Sequence, residues 1–416
     1  MGMNQTPAAQ RMHISFFGKR NAGKSSVMNA VIGQDLAVVS KQKGTTTDPV
    51  SKSMELLPLG PVIMTDTPGI DDKGELGQLR VQKSYQILNK TDGAVLVIDG
   101  TKGPSEEDRM LLQRIKEKKI PYLVVLNKID LLGSEGSLQT PKEKMEAAWG
   151  TDFILKENPI LVSAVKKTGI FELKERLARF IQTEESGRIV GDLLSPADFV
   201  VLVVPIDKAA PKGRLILPQQ QTIRDILDSQ AAAIVVQEEE LEKTLKCLGK
   251  KPRMVITDSQ VFAKVSALTP EEIPLTSFSI LFARYKGNLK TVVEGVTALD
   301  RLKDGDHVLI SEGCTHHRQC DDIGSVKIPK WIREYTKKDL AVSFTSGTEF
   351  PEDVSCYHLI VHCGGCMLNE REMKYRLQRA SDQEIPITNY GILIAYMKGI
   401  LKRSLKVFPE LSELLD

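Results

Sequence analysis

The chain has 416 residues, and a prior of about 150 residues per domain predicts two or three domains. It carries 56 Lys and Arg against 54 Asp and Glu, so its net charge gives no reason to expect nucleic acid as a partner. The longest apolar runs, such as residues 199–204, are far shorter than the roughly 20 residues that span a bilayer, which excludes a transmembrane protein. The first residues lack a secretion signal, so we expect a cytoplasmic protein that does not bind membranes.

The first part of the chain alternates short apolar runs with amphipathic segments, which predicts a mostly parallel sheet with helices on both faces. The predicted strands are His13–Phe17, Val62–Asp66, Ala94–Asp99 and Tyr122–Asn127. The predicted helices are Lys24–Ile32, Leu79–Asn89, Glu106–Lys118 and Phe171–Gln182. We place this unit at residues 12–183, after a flexible N-terminus at residues 1–11.

The rest of the chain predicts two smaller α/β units, residues 189–279 and 280–416, after a polar linker at residues 184–188. The segments predicted in them are the strands Phe199–Val204, Ala231–Val236, Met254–Thr257 and His307–Ile310 and the helices Gln219–Ser229, Glu238–Leu248, Lys290–Asp300 and Asn369–Ala380. Three strands in about 70 residues leave a sheet face uncovered, so we expect residues 189–279 to be a dimerisation domain of a homodimer.

A nucleotide-binding motif, Gly18-Lys-Arg-Asn-Ala-Gly-Lys-Ser25, lies between the first predicted strand and the first predicted helix. This pattern in this context is typical of a P-loop, whose glycines let backbone N–H groups surround phosphate oxygens at a helix N-terminus. Lys24 is expected to neutralise the β and γ phosphates during catalysis, and Ser25 to bind Mg²⁺ through its hydroxyl.

Four further motifs follow the P-loop in the order of a GTP-binding domain, and they predict an α/β chain with a P-loop GTPase domain and two smaller α/β domains. Thr46 is expected to reach the metal, Asp66 to hold Mg²⁺ through water, and the Gly69 amide to contact the γ phosphate. Asp130 can accept two N–H groups of guanine, a pattern that adenine lacks. The residues predicted to bind GTP or its metal ions are Gly18, Asn21, Ala22, Gly23, Lys24, Ser25, Ser26, Thr46, Asp66, Gly69, Asn127, Lys128, Asp130, Ser163 and Ala164.

Cysteine and histidine are concentrated in the last unit, where five of the six of each type lie between His307 and Cys366. Cys314, Cys363 and Cys366, with one histidine from His316 or His362, would complete a set of four ligands. Such a set suits a tetrahedral zinc ion and also a 4Fe–4S cluster with an exchangeable fourth position. A third alternative is a reduced thiol pair without metal, and Cys320 and Cys356 have no assigned role.

The P-loop unit resembles the translation-factor-like GTPases, and among them the tRNA-modification GTPases. Ile70 follows the Asp66 motif where Ras-like enzymes carry a glutamine that orients water. The resemblance implies that Asn21 is a ligand for K⁺ and that Asp72 acts on the attacking water as a catalytic residue. The alternative for Asp72 is a solvated loop position.

The order of a potassium-type GTPase, a short α/β unit and a C-x-H…H-C-x-x-C signature resembles the iron–iron hydrogenase maturation GTPases of the HydF family. This resemblance implies a scaffold that binds a 4Fe–4S cluster through Cys314, Cys363 and Cys366 in residues 280–416. His316 and His362 match the histidines of the family and are possible fourth-site ligands.

The partners implied by this resemblance are two radical-SAM maturases, which supply a transient di-iron precursor, and the apo iron–iron hydrogenase that receives it. The alternative function is a tRNA-modification-type GTPase with a zinc-binding C-terminal domain. The near-neutral charge and the large Cys/His unit favour the scaffold.

Overall fold

The structure is a computed structural model that describes residues 9, 11–33, 49–57, 59–70, 75–131, 159–180, 187–206, 215–313, 322–347 and 349–415. The chain forms two compact units, Met1–Glu184 and Glu185–Asp416. Within the described ranges, no helix has both the length and the apolar composition that crossing a bilayer requires.

The first unit contains one six-stranded sheet flanked by helices. Its strands are β1 (Met12–Phe17), β2 (Val50–Leu56), β3 (Gly60–Asp66), β4 (Gly93–Asp99), β5 (Tyr122–Asn127) and β6 (Ile160–Leu161). The helices in the described ranges of this unit are α1 (Lys24–Ile32), α2 (Glu75–Leu88), α3 (Glu106–Glu117) and α4 (Ile170–Phe180). The strand order is β2-β3-β1-β4-β5-β6, and only β2 pairs antiparallel to its neighbour β3.

Apolar side chains fill both faces of this sheet because successive residues of a strand point to opposite sides. Ile14 and Phe16 of β1 pack in the core on one face, whereas Phe17 packs in the core on the other. The predicted α/β class with a parallel sheet is therefore confirmed. The sequence prediction missed β2, whose residues alternate between exposed and half-buried positions and thus lack an apolar run.

The second unit contains two four-stranded sheets, all of whose strand pairs are parallel. Its strands are β7 (Phe199–Val203), β8 (Ala232–Val236), β9 (Met254–Thr257), β10 (Leu275–Ser277), β11 (His307–Ser311), β12 (Ala341–Thr345), β13 (Leu359–His362) and β14 (Ile387–Asn389). Its helices are α5 (Leu217–Asp228), α6 (Leu241–Cys247), α7 (Phe262–Leu268), α8 (Phe278–Lys286), α9 (Leu289–Val296), α10 (Ile328–Thr336), α11 (Glu370–Asp382), α12 (Tyr390–Met397), α13 (Leu401–Ser404) and α14 (Pro409–Ser412). The strand orders are β10-β9-β7-β8 and β12-β11-β13-β14.

One hydrophobic core joins the two sheets of the second unit. Val201 and Val203 of β7 belong to the same apolar cluster as Val308 and Ile310 of β11. The opposite face of β7 is also covered, since Val200 and Leu202 pack in a separate cluster. The expectation of an isolated three-stranded sheet with a bare face is therefore wrong: the sheet has four strands, and both of its faces are packed within the chain.

The strand ends of the third sheet are fixed by neighbouring helices whose first turns are capped. Asn369 accepts a hydrogen bond from the Glu372 N–H at 3.1 Å at the start of α11, and Asn389 accepts one from Ile392 at 2.8 Å at the start of α12. Such side chains satisfy N–H groups that have no partner within the helix. The register places Ser311, His362 and Asn389 side by side at the carboxyl edge of the sheet.

Candidate functional site

The loop from Gly18 to Ser25 connects β1 to α1 and is packed too tightly to accept side chains at its glycines. Gly18 has φ +142° and Gly23 has φ +92°, a region that favours glycine. A Cβ atom on Gly18 would lie 2.1 Å from the Val97 carbonyl oxygen. The glycines therefore permit the close turn that a phosphate-binding loop needs, as the sequence predicts.

The side chain of Lys24 is buried and folds across this loop. Its Nζ donates hydrogen bonds to the carbonyl oxygens of Gly18 at 3.0 Å and Lys19 at 2.9 Å. These acceptors are neutral, whereas phosphate oxygens are charged and form stronger hydrogen bonds with an ammonium group. The lysine is thus held at the loop in a position to exchange carbonyl partners for phosphate.

A buried carboxylate with one free oxygen lies beside the P-loop hydroxyl. Ser25 Oγ donates to Asp66 Oδ2, while Asp66 Oδ1 is buried without a hydrogen-bond partner among the described residues. Burial raises the pKa of Asp66, and the Ser25 hydrogen bond and the charge of Lys24 oppose that rise. A carboxylate and a hydroxyl are the oxygen donors that Mg²⁺ prefers, so these residues fit the metal predicted for them.

The guanine-binding motif is held by hydrogen bonds to the P-loop and to the loop after β6. Asn127 Nδ2 donates to the Ala22 carbonyl at 3.0 Å, and the Ala164 N–H donates to Asn127 Oδ1 at 3.2 Å. Ser163 Oγ donates to Asp130 Oδ1 at 2.6 Å. The predicted residues of three separate motifs therefore meet, and Ser163 orients the carboxylate expected to recognise guanine.

Asp99 at the end of β4 is a supporting residue that the sequence reasoning missed. Its Oδ2 lies 2.7 Å from Lys128 Nζ. Burial alone would raise the pKa of Asp99, but hydrogen bonds from Lys128 and Thr101 hold it below its usual range. The sequence feature that could have identified Asp99 is its position as an acidic residue at the carboxyl end of a central strand.

The remaining predicted residues of this site differ in how far the structure describes them. Asn21 and Ser26 are exposed, and Asn21 has φ +63°. Ile70 is buried in the core beside α2, so no polar side chain stands at the position after the Asp66 motif. Thr46 and Asp72 lie outside the described residues.

The Cys363-Gly-Gly-Cys366 segment begins at the carboxyl end of β13. The Cys363 N–H donates to the Ser311 carbonyl at 2.9 Å, which extends the pairing of β11 and β13 by one residue. Cys363 Sγ accepts hydrogen bonds from the N–H groups of Gly313 at 3.0 Å and Gly365 at 3.4 Å. Burial raises the pKa of the Cys363 thiol, and these two donors oppose that rise.

The turn between the two cysteines depends on a glycine. Gly365 has φ +61°, and a Cβ atom there would lie 2.6 Å from the sulfur of Met373 in α11. Glycine accepts this left-handed conformation without a steric cost. The turn leaves both Cys363 and Cys366 half-buried, and Cys363 lies close to the end of β11.

Lys286, the last residue of α8, supports this turn and was missed by the sequence reasoning. Its Nζ donates to the carbonyl oxygens of Gly365 at 3.1 Å, Cys366 at 3.2 Å and Leu368 at 2.8 Å. Burial lowers the pKa of Lys286 to about 8, and the neighbouring Cys366 and Cys363 oppose that change. No local sequence pattern predicts this contact, because Lys286 precedes Gly365 by 79 residues.

His362 is fully buried, and both of its ring nitrogens have partners. Nε2 lies 2.9 Å from Arg376 Nη1, and Nδ1 lies 2.6 Å from the Cys363 carbonyl oxygen. Since a guanidinium has no acceptor, Nε2 accepts and Nδ1–H donates. Burial, with the charge of Arg376, lowers the pKa of His362 to about 3, so the ring is neutral. If His362 is a fourth-site ligand, as the resemblance allows, one of these two hydrogen bonds has to break when the ring binds iron.

Arg376 of α11 is completely buried beneath the strand ends and connects four groups. Its Nε donates to Glu372 Oε1 at 3.0 Å, and its other nitrogens donate to Ser311 Oγ at 3.2 Å and the Gly347 carbonyl at 2.6 Å, besides His362. Glu372 supplies the opposite charge that makes a buried guanidinium tolerable. This network fixes the carboxyl end of β13, which Cys363 directly follows.

The full set of predicted cluster ligands is only partly described. Cys314 and His316 lie outside the described residues, although Gly313, which precedes Cys314, contacts Cys363. Among the residues that the structure describes, no group of three or more His, Cys, Asp or Glu side chains is placed to hold a metal ion. The structure therefore brings together Cys363 and Cys366 of the predicted set.

Three family models match the chain, one in the first unit and two in the second. A 50S ribosome-binding GTPase model matches residues 13–128, a Hydrogen maturase F dimerization domain matches residues 189–287, and a Hydrogen maturase F tetramerization domain matches residues 290–407. The last two together cover more than half of the chain. The tetramerization model spans the cysteine motif that we assigned to residues 280–416.

Two curated relatives are GTPases, and each matches about two fifths of the chain. The tRNA modification GTPase MnmE of Desulforamulus reducens is 32% identical over 165 residues, which is 39% of this chain and 33% of that protein. The GTPase Era of Heliobacterium modesticaldum is 32% identical over 164 residues, 39% of this chain and 52% of that protein. The chain thus spans about a third to a half of the length of these relatives. A crystal structure of Aquifex aeolicus Era covers 57% of this chain and 98% of its own at 20% identity, with a TM-score of 0.36.

Proposed function

The chain belongs to the Hydrogen maturase F (HydF) family, and from this premise we propose that it is a GTP-hydrolysing scaffold that carries a 4Fe–4S cluster. It accepts a di-iron precursor from radical-SAM maturases and delivers it to apo iron–iron hydrogenase. The observation that carries the proposal is the Cys363 sulfur at the end of β13, which receives two backbone N–H groups beside a second cysteine.

The GTPase unit supplies the hydrolytic activity with its own side chains. Lys24 binds the β and γ phosphates, and Asp130, oriented by Ser163, selects guanine. Ser25 and Asp66 hold Mg²⁺, which neutralises negative charge on the phosphates when it is bound. Asn21, exposed on the P-loop, holds a K⁺ ion that stimulates hydrolysis.

Three thiolates hold the cluster, namely Cys314, Cys363 and Cys366. Backbone N–H groups directed at a sulfur favour its anionic form, which is the form that binds iron. Cys314 is joined directly to Gly313, whose N–H reaches Cys363 Sγ, so chain continuity supports its place in the same set. When bound, the cluster supplies an iron with an exchangeable coordination position.

A homodimer is part of this proposal, supported by one edge of the second sheet. β8 is the edge strand of that sheet, and Val235 on it is 44% exposed. An apolar edge strand can pair with another chain, since its outer N–H and C=O groups face away from its own sheet. The family model that covers β8 is described as a dimerization domain.

The test is an anaerobic preparation reconstituted with iron and sulfide. The proposal predicts a brown protein with about four irons per chain and an EPR signal after reduction, as for a cluster held by cysteine thiolates. It also predicts GTP hydrolysis in the presence of Mg²⁺ and activation of apo-hydrogenase when the two maturases are added. A colourless protein that retains stoichiometric zinc would instead support the tRNA-modification-type alternative.

A further inference from the structure

The ammonium group of Lys286 is buried in an unusual setting. The residue is 3% exposed at the end of α8, and the carboxylate of Glu370 acts on its charge without forming an ion pair with it among the described residues. Removing a charged group from water is costly unless polar groups replace the lost hydration. The replacement here consists of the carbonyl oxygens of Gly365, Cys366 and Leu368.

These three acceptors match the three N–H donors of an ammonium group, and all of them belong to one turn. The turn is closed by a hydrogen bond from the Leu368 N–H to the Gly365 carbonyl at 3.1 Å. On the other side of the same turn, the Gly365 N–H points at Cys363 Sγ. Lys286 thus binds carbonyl oxygens of Gly365 and of residues that follow it in the chain, whereas the N–H group that faces the sulfur belongs to the preceding peptide unit.

Lys286 acts on the sulfurs in two ways. By binding the carbonyl oxygens of the turn it fixes the backbone, and the fixed backbone keeps the Gly365 N–H directed at Cys363 Sγ. The positive charge of Lys286 also lies close enough to the two cysteines to interact with them when they are ionised. Both effects stabilise an anionic group bound at these sulfurs.

We propose that Lys286 is a positioning residue of the cysteine site, which holds the Cys363–Leu368 turn in its ligating conformation and supplies a positive charge to the bound anionic cluster. The identity of that cluster rests on the proposed function. The contact also joins the two family segments, because Lys286 lies in residues 189–287 and the turn lies in residues 290–407.

The first experiment uses the iron-free full chain, so it does not depend on the cluster. Hydrogen exchange at the Leu368 amide should be about tenfold faster in Lys286→Met, because the turn loses three hydrogen bonds and opens more often. The matched control is Lys290→Met, since Lys290 is 61% exposed and forms a long ion pair with Glu294 at 3.8 Å. Equal exchange in the wild type and Lys286→Met would overturn the positioning role.

The second experiment measures the redox equilibrium of the reconstituted cluster in the wild type and two variants. In Lys286→Gln, which keeps a donor but lacks the charge, reduction should become about tenfold less favourable, or ~59 mV lower for one electron. Lys286→Arg keeps the charge and should restore most of the wild-type potential. A wild-type potential in Lys286→Gln would overturn the role of the charge.

The two experiments separate this inference from the proposed function. If the wild type takes up no iron, the scaffold proposal fails, and the exchange experiment still decides whether Lys286 positions the turn. If the wild type binds the cluster but exchange and potential are unchanged in the variants, the inference about Lys286 fails alone. Should Lys286→Met fail to fold, Lys286→Gln serves in both experiments.

Discussion

The nucleotide site and the cysteine site both lie at the carboxyl ends of parallel strands, but they are supported differently. At the nucleotide site, the predicted residues support one another, as in the contacts of Ser25 with Asp66 and of Ser163 with Asp130. At the cysteine site, support comes from outside the motif, namely from Lys286 of α8 and Arg376 of α11. The first site is thus built from adjacent loops, and the second depends on distant helices.

The buried charged groups also differ between the two sites, and the difference indicates what each site can hold. Asp66 presents a buried carboxylate oxygen without a partner among the described residues, which suits a cation that accompanies phosphate. At the cysteine site, the buried ammonium group of Lys286 interacts with Cys363 and Cys366 when they are ionised, whereas the carboxylate of Glu312 opposes ionisation of Cys363. Lys286 is therefore the group at this site that favours an anionic ligand set. Four predictions test this contrast.

The largest expected effect is loss of the cluster when a thiolate is removed. Cys363→Ser should abolish most bound iron and the EPR signal of the reduced protein, because two thiolates are too few to hold four irons. GTP hydrolysis should persist, since the P-loop unit folds around its own sheet. Cys247→Ser is the matched control, as Cys247 is an exposed cysteine of α6. Full iron content in Cys363→Ser would remove Cys363 from the ligand set.

The second prediction concerns the buried network beneath β13. Arg376→Met should lower the free energy of unfolding of the second unit by about 3–5 kcal/mol, because Glu372 would remain buried without its counter-charge. The denaturant midpoint of the iron-free protein measures this change. Lys374→Met on the same helix should stay close to the wild type, since Lys374 forms an exposed pair with Glu370. Similar midpoints for both variants would contradict a special role for Arg376.

The third prediction concerns guanine recognition, where support comes from within the motifs. Asp130→Asn should weaken GTP binding by about 1.5–3 kcal/mol, one to two orders of magnitude, through loss of charge-assisted hydrogen bonds. Ser163→Ala should weaken it less, because the carboxylate remains and loses only its orienting hydrogen bond of 2.6 Å. Calorimetry with GTP and ATP gives both affinities. Unchanged GTP binding in Asp130→Asn would reject this loop as the guanine site.

Sequence patterns predicted the nucleotide-binding unit well because its strands, helices and P-loop are each indicated by short stretches of consecutive residues. The helix Lys24–Ile32 and the strand Tyr122–Asn127 occur with the predicted bounds, and the P-loop lies between its expected elements. The three-residue strands β10 and β14 were missed, since such short segments give no detectable periodicity.

The residues that support the cysteine site also could not be predicted from the sequence. Lys286 and Arg376 are charged residues of helices, and a lysine or arginine is ordinarily expected at the surface. Their burial follows from tertiary packing against strand ends, and no spacing within either helix indicates it. Motifs therefore located the ligands, whereas the residues that position them required the structure.

The smallest expected effect concerns the cation at the P-loop. If Asn21 holds K⁺, GTP turnover should be severalfold faster in potassium than in sodium at equal ionic strength, because a correctly sized ion stabilises charge on the phosphates. Asn21 adopts φ +63°, so Asn21→Gly removes the amide while the backbone keeps its conformation, whereas alanine would add strain. The ratio of rates in the two salts should fall to about one in Asn21→Gly, as expected when a specific ligand is lost. Equal rates in both salts for the wild type would show that Asn21 has no cation to bind, and hydrolysis would then depend on Lys24 and Mg²⁺ alone.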